Sequence, residues 1–243
     1  MHDFGGWNRA FDGLRDSTSI WARFKSIANA EFGVTHALWG ISHSFTRALE
    51  SGFTAAIESW SDYPEDYLGV LSSKGLLDHD YSTRYIIENR RPYFWMSGKG
   101  IADMTAKERE RDILDEMFSL KVGVSLPMVF GHNHGSGVGL ATGGLTAPEL
   151  DEIWHLKGDA LTGLCMAFDA AMRQFAPPER FDLTKRERDV LSFAASGMNA
   201  LQIATHLDLS NRTVEGALDR ARRTLKSANT TEAVAKAIVF GLI

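Results

Sequence analysis

The sequence predicts an α+β protein: an N-terminal α/β/α sandwich on an antiparallel sheet, then a C-terminal all-α domain of four short helices in a helix-turn-helix layout. Three observations predict it. Helical and strand periodicities mix up to about Phe175, and no strand pattern appears after Asp182. Between them, Gln174 to Asp182 (QFAPPERFD) breaks the pattern, because Pro177 and Pro178 remove backbone donors and push Ala176 out of the helical region. Beyond the break, Asp208-Leu-Ser makes a tight turn between two helical stretches. The expected organisation is therefore a first domain over 1–173, a linker over 174–182 and a second domain over 183–243.

In the first domain, Ile20, Trp21, Phe24, Ile27, Ala28 and Phe32 recur at helical spacing and stop at Gly33. Val34 to Ser42 and Phe53 to Ser59 are short β-prone runs separated by polar residues. Thr105-Ala-Lys-Glu108 is a capping box, in which hydroxyl and carboxylate each satisfy an orphan amide, and it opens a helix in Met104 to Leu120. Val122 to Val129 and Val138 to Thr142 read as two strands joined by a turn rich in Gly and His. Thr146-Ala-Pro-Glu149 is a second capping box, starting a long helix that runs to about Phe175. Its Leu161, Leu164, Cys165 and Phe168 lie on one face, which is either part of a dimer face or core.

In the second domain, Thr184-Lys-Arg-Glu187 is a third capping box, followed by Val190, Leu191 and Ala194 on one face and a stop at Gly197. Ala200 to Leu207 is a short helix. Ser210 caps the next, whose Val214, Leu218, Ala221 and Leu225 are spaced four, three and four apart. Asn229-Thr-Thr-Glu232 opens the last, with Ala233, Val234, Ala237 and Ile238 on its apolar side.

The 243 residues, 44% hydrophobic, suffice for one or two buried cores. No apolar run approaches the ~18 residues of a membrane span, and Met1 to Trp7 lacks a secretory n-region. Cys165 is the only cysteine, which excludes an intrachain disulfide and a cysteine zinc cage. These features point to the cytoplasm, with no membrane partner. The net charge of −5 is uneven: Phe181 to Ile243 holds nine Lys and Arg against seven Asp and Glu, leaving an acidic body of −7. Such a balance permits nucleic-acid binding without requiring it.

Catalysis is not expected. His132 and His134, with Gly131 and Gly135 about them, have no identifiable third metal ligand and read as surface residues of a strand turn. Cys165 sits on an apolar helix without an evident base, and Gly135-Ser-Gly137 lacks the strand-to-helix context of a nucleotide loop. No metal, cofactor or catalytic residue is predicted.

The helix after the Asp208 turn is the one that such a unit lays in the DNA major groove. Its N-terminal residues Asn211, Arg212, Thr213, Glu215 and Gly216 would meet base edges, while Arg220, Arg222, Arg223 and Lys226 would meet phosphates. A helical bundle with a solvated charged face fits the same pattern. Leu183-Thr-Lys-Arg-Glu-Arg-Asp-Val-Leu191, Ala195-Ser-Gly197, Gln202-Ile-Ala204, Leu209-Ser210, Arg212-Thr-Val214, Leu225 and Ala233-Val-Ala-Lys-Ala-Ile238 closely resemble the LuxR-type DNA-binding domain. That resemblance implies a homodimer on double-stranded operator DNA, with RNA polymerase a further partner it allows. The segment departs from the family at Glu215, Gly216 and Ala217, after Thr-Val, so an altered operator or weaker binding is expected.

The N-terminal part resembles the autoinducer-binding domain of the same quorum-sensing regulators. The resemblance rests on Asp62-Tyr-Pro-Glu-Asp-Tyr67, Asp80, Arg91-Pro-Tyr-Phe-Trp95 and Gly123-Val-Ser-Leu-Pro127. It implies an N-acyl homoserine lactone held between sheet and helices, with Asp80 accepting from the ligand amide, Trp95 donating to the lactone carbonyl and Tyr63 approaching the acyl oxygen. Ser82 and Thr142 would add hydroxyls and Tyr67 an aromatic wall. On spacing alone, Asp80 could instead cap the helix running into Arg90, and Trp95 could be core. The family's pocket tryptophan is Tyr67 here, and its tyrosine four residues on is Leu71. Such changes occur in solo receptors, so a non-lactone ligand, or an anti-activator needing none, is the alternative expectation.

Overall fold

A computed structural model describes residue 7 and residues 9–55, 57–95, 100–175 and 181–243. Most of the expected linker, 176–180 with both prolines, lies outside the described residues. The chain divides into two compact units that part between Ala170 and Ala171, with Arg15–Ser17 falling in the second. Among the described residues no helix is long and apolar enough to cross a membrane.

The first unit is built on five strands: β1 (His36–Ser42), β2 (Ile57–Ser61), β3 (Tyr93–Phe94), β4 (Gly123–Phe130) and β5 (Gly135–Ala141). Their order is β2-β1-β5-β4-β3, and every neighbouring pair is antiparallel. Around them run α1 (Ser17–Phe32), α2 (Phe45–Ser51), α3 (Glu65–Ser73), α4 (Tyr81–Asn89), α5 (Ala106–Met117) and α6 (Ala147–Phe175).

The two-residue period of β1 sorts its side chains between two faces. Ala37, Trp39 and Ile41 are buried on one. There Trp39 Nε1 donates to Asp169 of α6 at 2.8 Å, and Phe168 stacks on Phe24 of α1 with ring centroids 4.0 Å apart. Leu161, Leu164, Cys165 and Phe168 are all buried within the single chain, so this face of α6 is core and not a dimer face. On the other face, Leu38, Gly40 and Ser42 stand opposite Gly139, Gly137 and Gly135 of β5. The result is the predicted α/β/α sandwich.

Two elements differ from the sequence reading. The Gly- and His-rich turn is only Gly131 to His134, closed by Gly131 N donating to His134 O at 2.8 Å, and β5 begins at Gly135 instead of Val138. Glycine is disfavoured in strands, so the alternation Gly-Ser-Gly-Val-Gly masks a strand whose one face is bare. The run expected over Phe53 to Ser59 instead opens with a 3-10 turn, Phe53–Ala55, where the Thr54 amide and hydroxyl donate to Asp78; the strand starts at Ile57.

The second unit contains α7 (Lys185–Ala195), α8 (Ala200–Leu207), α9 (Asn211–Thr224) and α10 (Thr230–Val239). Thr184 and Glu187 form the anticipated capping box, and Asn199 with Gln202 forms another. Ser210 accepts from Thr213 N to start α9, after a turn in which Asp208 adopts the left-handed conformation. Val190, Ile203, Ala204, Val214 and Ala217 close the core between α7, α8 and α9. Lys236 is buried, and its Nζ donates to the carbonyls of Leu225 and Lys226 at 3.0 and 2.9 Å, satisfying orphan acceptors at the end of α9.

Candidate functional site

Between the glycine floor of the sheet and α3, α4 and α5 lies a cavity of about 310 Å³. Gly135, Gly137 and Gly139 form its floor, where Phe45 and Ile86 pack closer to the bare backbone than a Cβ would allow. A Cβ on Gly139 would stand 3.4 Å from Trp95 and 3.6 Å from the Tyr63 hydroxyl. Phe45, Phe53 and Ile87 form one apolar part of the wall, and Tyr67, Leu71 and Leu120 another. Five of the six residues implied by the resemblance line it: Tyr63, Tyr67, Asp80, Ser82 and Trp95. Thr142 is not brought into the cavity; it is buried, and its hydroxyl donates to Val122 O at 3.1 Å.

Asp80 is the N-cap of α4. Its Oδ1 accepts from Ser82 N at 2.9 Å, Ser82 Oγ at 2.8 Å and Thr83 N at 3.3 Å. Its Oδ2 accepts from Thr83 Oγ1 at 3.0 Å and Arg111 Nη2 at 3.2 Å. Burial works to raise this carboxyl, but Arg111 and the Ser82 and Thr83 donors outweigh it and hold it below the usual range. A substitution at Asp80 therefore disturbs the helix cap and the Arg111 pair together with any ligand contact. Trp95 Nε1 donates to Ser125 Oγ at 2.9 Å, Ser125 Oγ to Ser82 Oγ at 3.0 Å, and Ser82 Oγ to Asp80. Indole and carboxylate are thus joined by an unbroken chain of hydrogen bonds.

Sequence reasoning missed three residues here. Ser125 follows from period two within Gly123-Val-Ser-Leu-Pro127, opposite in facing to Val124 and Leu126. Arg111 is buried, donating to the carbonyls of Leu76 at 3.5 Å and Leu77 at 3.0 Å as well as to Asp80. Asp115, one turn further along α5, accepts from the Tyr67 hydroxyl at 2.5 Å. Burial, the largest influence, pushes the Asp115 carboxyl up to about 6 against the pull of Arg111 and the Tyr67 hydrogen bond. The available signal was the spacing Glu108, Arg111, Asp115, which places three charges on one helical stripe beside Leu114. In sequence it looks like an ordinary solvated charge run.

The second candidate surface is α9. Asn211, Arg212, Thr213 and Glu215 are exposed at its start, with Asn211 Nδ2 donating to Glu215 Oε1 at 2.9 Å. Arg220 Nε donates to the buried Glu187 at 3.0 Å, and Arg222 pairs with Asp219, so both guanidinium groups already have acidic partners. Arg212 and Arg223 are exposed and have no ion pair among the described residues. Lys226 follows α9 in the left-handed conformation, with its side chain exposed.

The profile of the autoinducer binding domain matches residues 16–172, and that of the bacterial regulatory proteins of the luxR family matches 182–237. The chain belongs to the LuxR family of autoinducer-binding transcription regulators. It is 26% identical to the transcriptional activator SolR of Ralstonia nicotianae over 96% of both chains, and 25% identical to the transcriptional activator LuxR of Aliivibrio fischeri over 75% of this chain and 73% of that one. A 44% identity to the quorum-sensing regulator RpaR of Rhodopseudomonas palustris is confined to 30% of each. Escherichia coli SdiA shares the fold of this LuxR-family chain, with a TM-score of 0.58 at 18% identity over 99% of both. SolR and LuxR are transcriptional activators, and RpaR is a quorum sensing-dependent transcriptional regulator.

Proposed function

We propose that this LuxR-family chain is a cytoplasmic quorum-sensing regulator that binds a single-chain acyl amphiphile in the first unit and operator DNA as a homodimer through the second. N-acyl homoserine lactones are the ligand class that the family resemblance implies. The observation that carries the reading is the apolar-walled cavity in which Tyr63, Asp80, Ser82 and Trp95 converge, a few polar groups on a mostly apolar lining. Ligand bound by the native state alone stabilises it as RT ln(1 + [L]/Kd), about 2.7 kcal/mol at a hundredfold excess over Kd. A lactone series of graded chain length is therefore expected to raise the thermal midpoint with an optimum at one length. No shift with any member contradicts the lactone reading.

A second reading, a non-lactone acyl ligand, is favoured by one observation: the Trp95 N–H and the Asp80 oxygens already have partners within the protein. SdiA has been solved with octanoyl-rac-glycerol, an acyl amphiphile without a lactone ring.

For DNA, Arg212 is the exposed cation at the start of α9. Arg212→Ala is expected to weaken operator binding by about 1–3 kcal/mol and to relax preference at one base position. Binding titrations on operator variants check this, and a uniform loss across all sequences makes Arg212 a phosphate contact instead.

A further inference from the structure

We infer that Phe45 and Phe130, held from outside by Arg90, are the tail stop of the cavity and set the longest acyl chain it admits. The inference rests on the cavity being the ligand site. It follows from the register of the sheet, which sets the lining on successive rungs. On one rung Gly139 of β5 faces Leu38 of β1 and Ser125 of β4, and Leu38 faces Ser61 of β2. Trp95 and the Tyr63 hydroxyl stand over this rung, 3.4 and 3.6 Å from where a Cβ on Gly139 would lie. Further along β5, about 13 Å away at ~3.3 Å per residue, Gly135 faces Ser42 and Phe130, and Ser42 faces Ile57. A Cβ on Gly135 would lie 2.8 Å from Phe45 and 3.2 Å from Phe130.

The two ends differ in chemistry. Asp80 is joined to the Gly139 rung through Ser82, Ser125 and Trp95, Arg111 through Asp80, and Asp115 through Tyr67, whose ring neighbours that of Tyr63. At the Gly135 rung, Phe45, Phe53, Ile57, Ile87 and Phe130 of the lining pack as one apolar cluster. The neutral polar neighbours there, Ser42, Thr54 and Ser136, are bonded to the Ser44 amide, Asp78 and the Val129 amide. An amphiphile therefore lies along the strands, its head at Trp95 and Tyr63 and its tail toward Phe45 and Phe130. The turn between β4 and β5 closes the tail end: Phe45 N donates to Asn133 O and Thr46 N to Asn133 Oδ1, both at 2.8 Å, seating the start of α2 on that turn. Arg90, left-handed at the end of α4, is exposed and stands outside the lining. Its guanidinium lies 5.0 Å from the Phe45 ring centroid and 4.4 Å from that of Phe130. It also donates to the carbonyls of Gly131 and His132 at 3.2 and 3.1 Å. One planar fork thus fixes both rings and the turn, which makes Arg90 a positioning residue.

The test uses the full chain and two probe series, N-acyl homoserine lactones and 1-acylglycerols, each from butanoyl to tetradecanoyl. Dissociation constants are measured by calorimetry for the wild type, Phe130→Ala, Phe130→Leu, Arg90→Asn and Trp95→Phe, with circular dichroism confirming that each is folded. In the wild type, affinity is expected to rise by up to about fourfold per methylene to an optimum length and then to fall. Phe130→Ala is expected to move the optimum to a longer chain, the first probe beyond the wild-type optimum gaining about tenfold. Phe130→Leu moves it in the same direction by less, and serves where alanine prevents folding. Asparagine tolerates the left-handed backbone, so Arg90→Asn removes only the clamp. It is expected to soften the fall beyond the optimum by about threefold and to leave shorter chains unchanged. Trp95→Phe, at the head, is expected to weaken all lengths alike. An optimum unmoved by the Phe130 variants, a wild-type profile in Arg90→Asn, or an optimum moved by Trp95→Phe each overturns the inference while leaving the cavity as a ligand site. If no probe of either series binds any of the proteins, the cavity reading itself fails, and the inference with it.

Discussion

Replacing Arg111 with methionine is expected to destabilise the first unit by about 3–5 kcal/mol, the cost of leaving a buried carboxylate without its cation. Arg111 is the only basic side chain bonded to Asp80 among the described residues, and it also serves the carbonyls of Leu76 and Leu77. Most of the loss is expected to return when Asp80→Asn is added, because asparagine retains the cap on α4 and removes the uncompensated charge. All six tryptophans lie before Ala170, so fluorescence-detected unfolding in denaturant reports this unit alone. A double variant no more stable than Arg111→Met would show that the carbonyl contacts, and not the ion pair, hold Arg111 in place.

Asp115→Asn is expected to have the opposite sign. In the unfolded chain this carboxyl ionises near 3.8, whereas burial in the folded unit pushes it up to about 6. Between those values the folded state holds the extra proton, so its stability falls as pH rises from about 4 to about 6, and the full penalty stands above that window. Two pH units correspond to roughly 3 kcal/mol. Asparagine keeps an acceptor for Tyr67 and has no charge to bury. The variant should therefore be more stable than wild type by up to roughly 3 kcal/mol at pH 7.5 and about equal to it at pH 4, read from thermal midpoints across that range. A difference between the two proteins that does not change with pH contradicts the assignment. Asp80, held low, works the other way: its contribution is present above the unfolded pKa and is lost as pH falls through the folded one. A carboxyl that costs stability beside a cavity is what a binding function preserves and folding alone does not.

The fold was largely legible because its local signals agree with its tertiary ones. The boxes at Thr105 and Thr184 place helix starts to the residue, and the four-three-four spacing of Val214, Leu218, Ala221 and Leu225 points α9 at α7 and α8. The sheet was less legible where it serves the cavity. Gly135, Gly137 and Gly139 carry no side chain to make an alternating pattern, and it is their bareness that lets Phe45, Ile86 and Trp95 of the cavity wall approach the strand. The polar part of the wall divided the same way. Tyr63, Asp80, Ser82 and Trp95 came from the family resemblance, and the structure gathers them on one cavity. Arg111 and Asp115 were hidden because an amphipathic helix written ERERDILDEM shows its charges as if all of them faced solvent. The substitution of tyrosine at position 67 reads in sequence as an aromatic exchange. Only its bond to Asp115 shows that it changes which protons the recess offers. On α9, the sequence pattern did not distinguish Arg220 and Arg222, which have acidic partners, from the exposed Arg212 and Arg223.

In the proposed function the first unit encloses a single-chain acyl molecule. The most direct test is to purify the full chain from cells grown with and without N-acyl homoserine lactones and 1-octanoylglycerol, denature it, and identify the extract by mass spectrometry. An acyl amphiphile is expected at close to one per chain, with a higher yield of folded protein when it is supplied. Equal yields of folded protein, with nothing acylated in any extract, would contradict it.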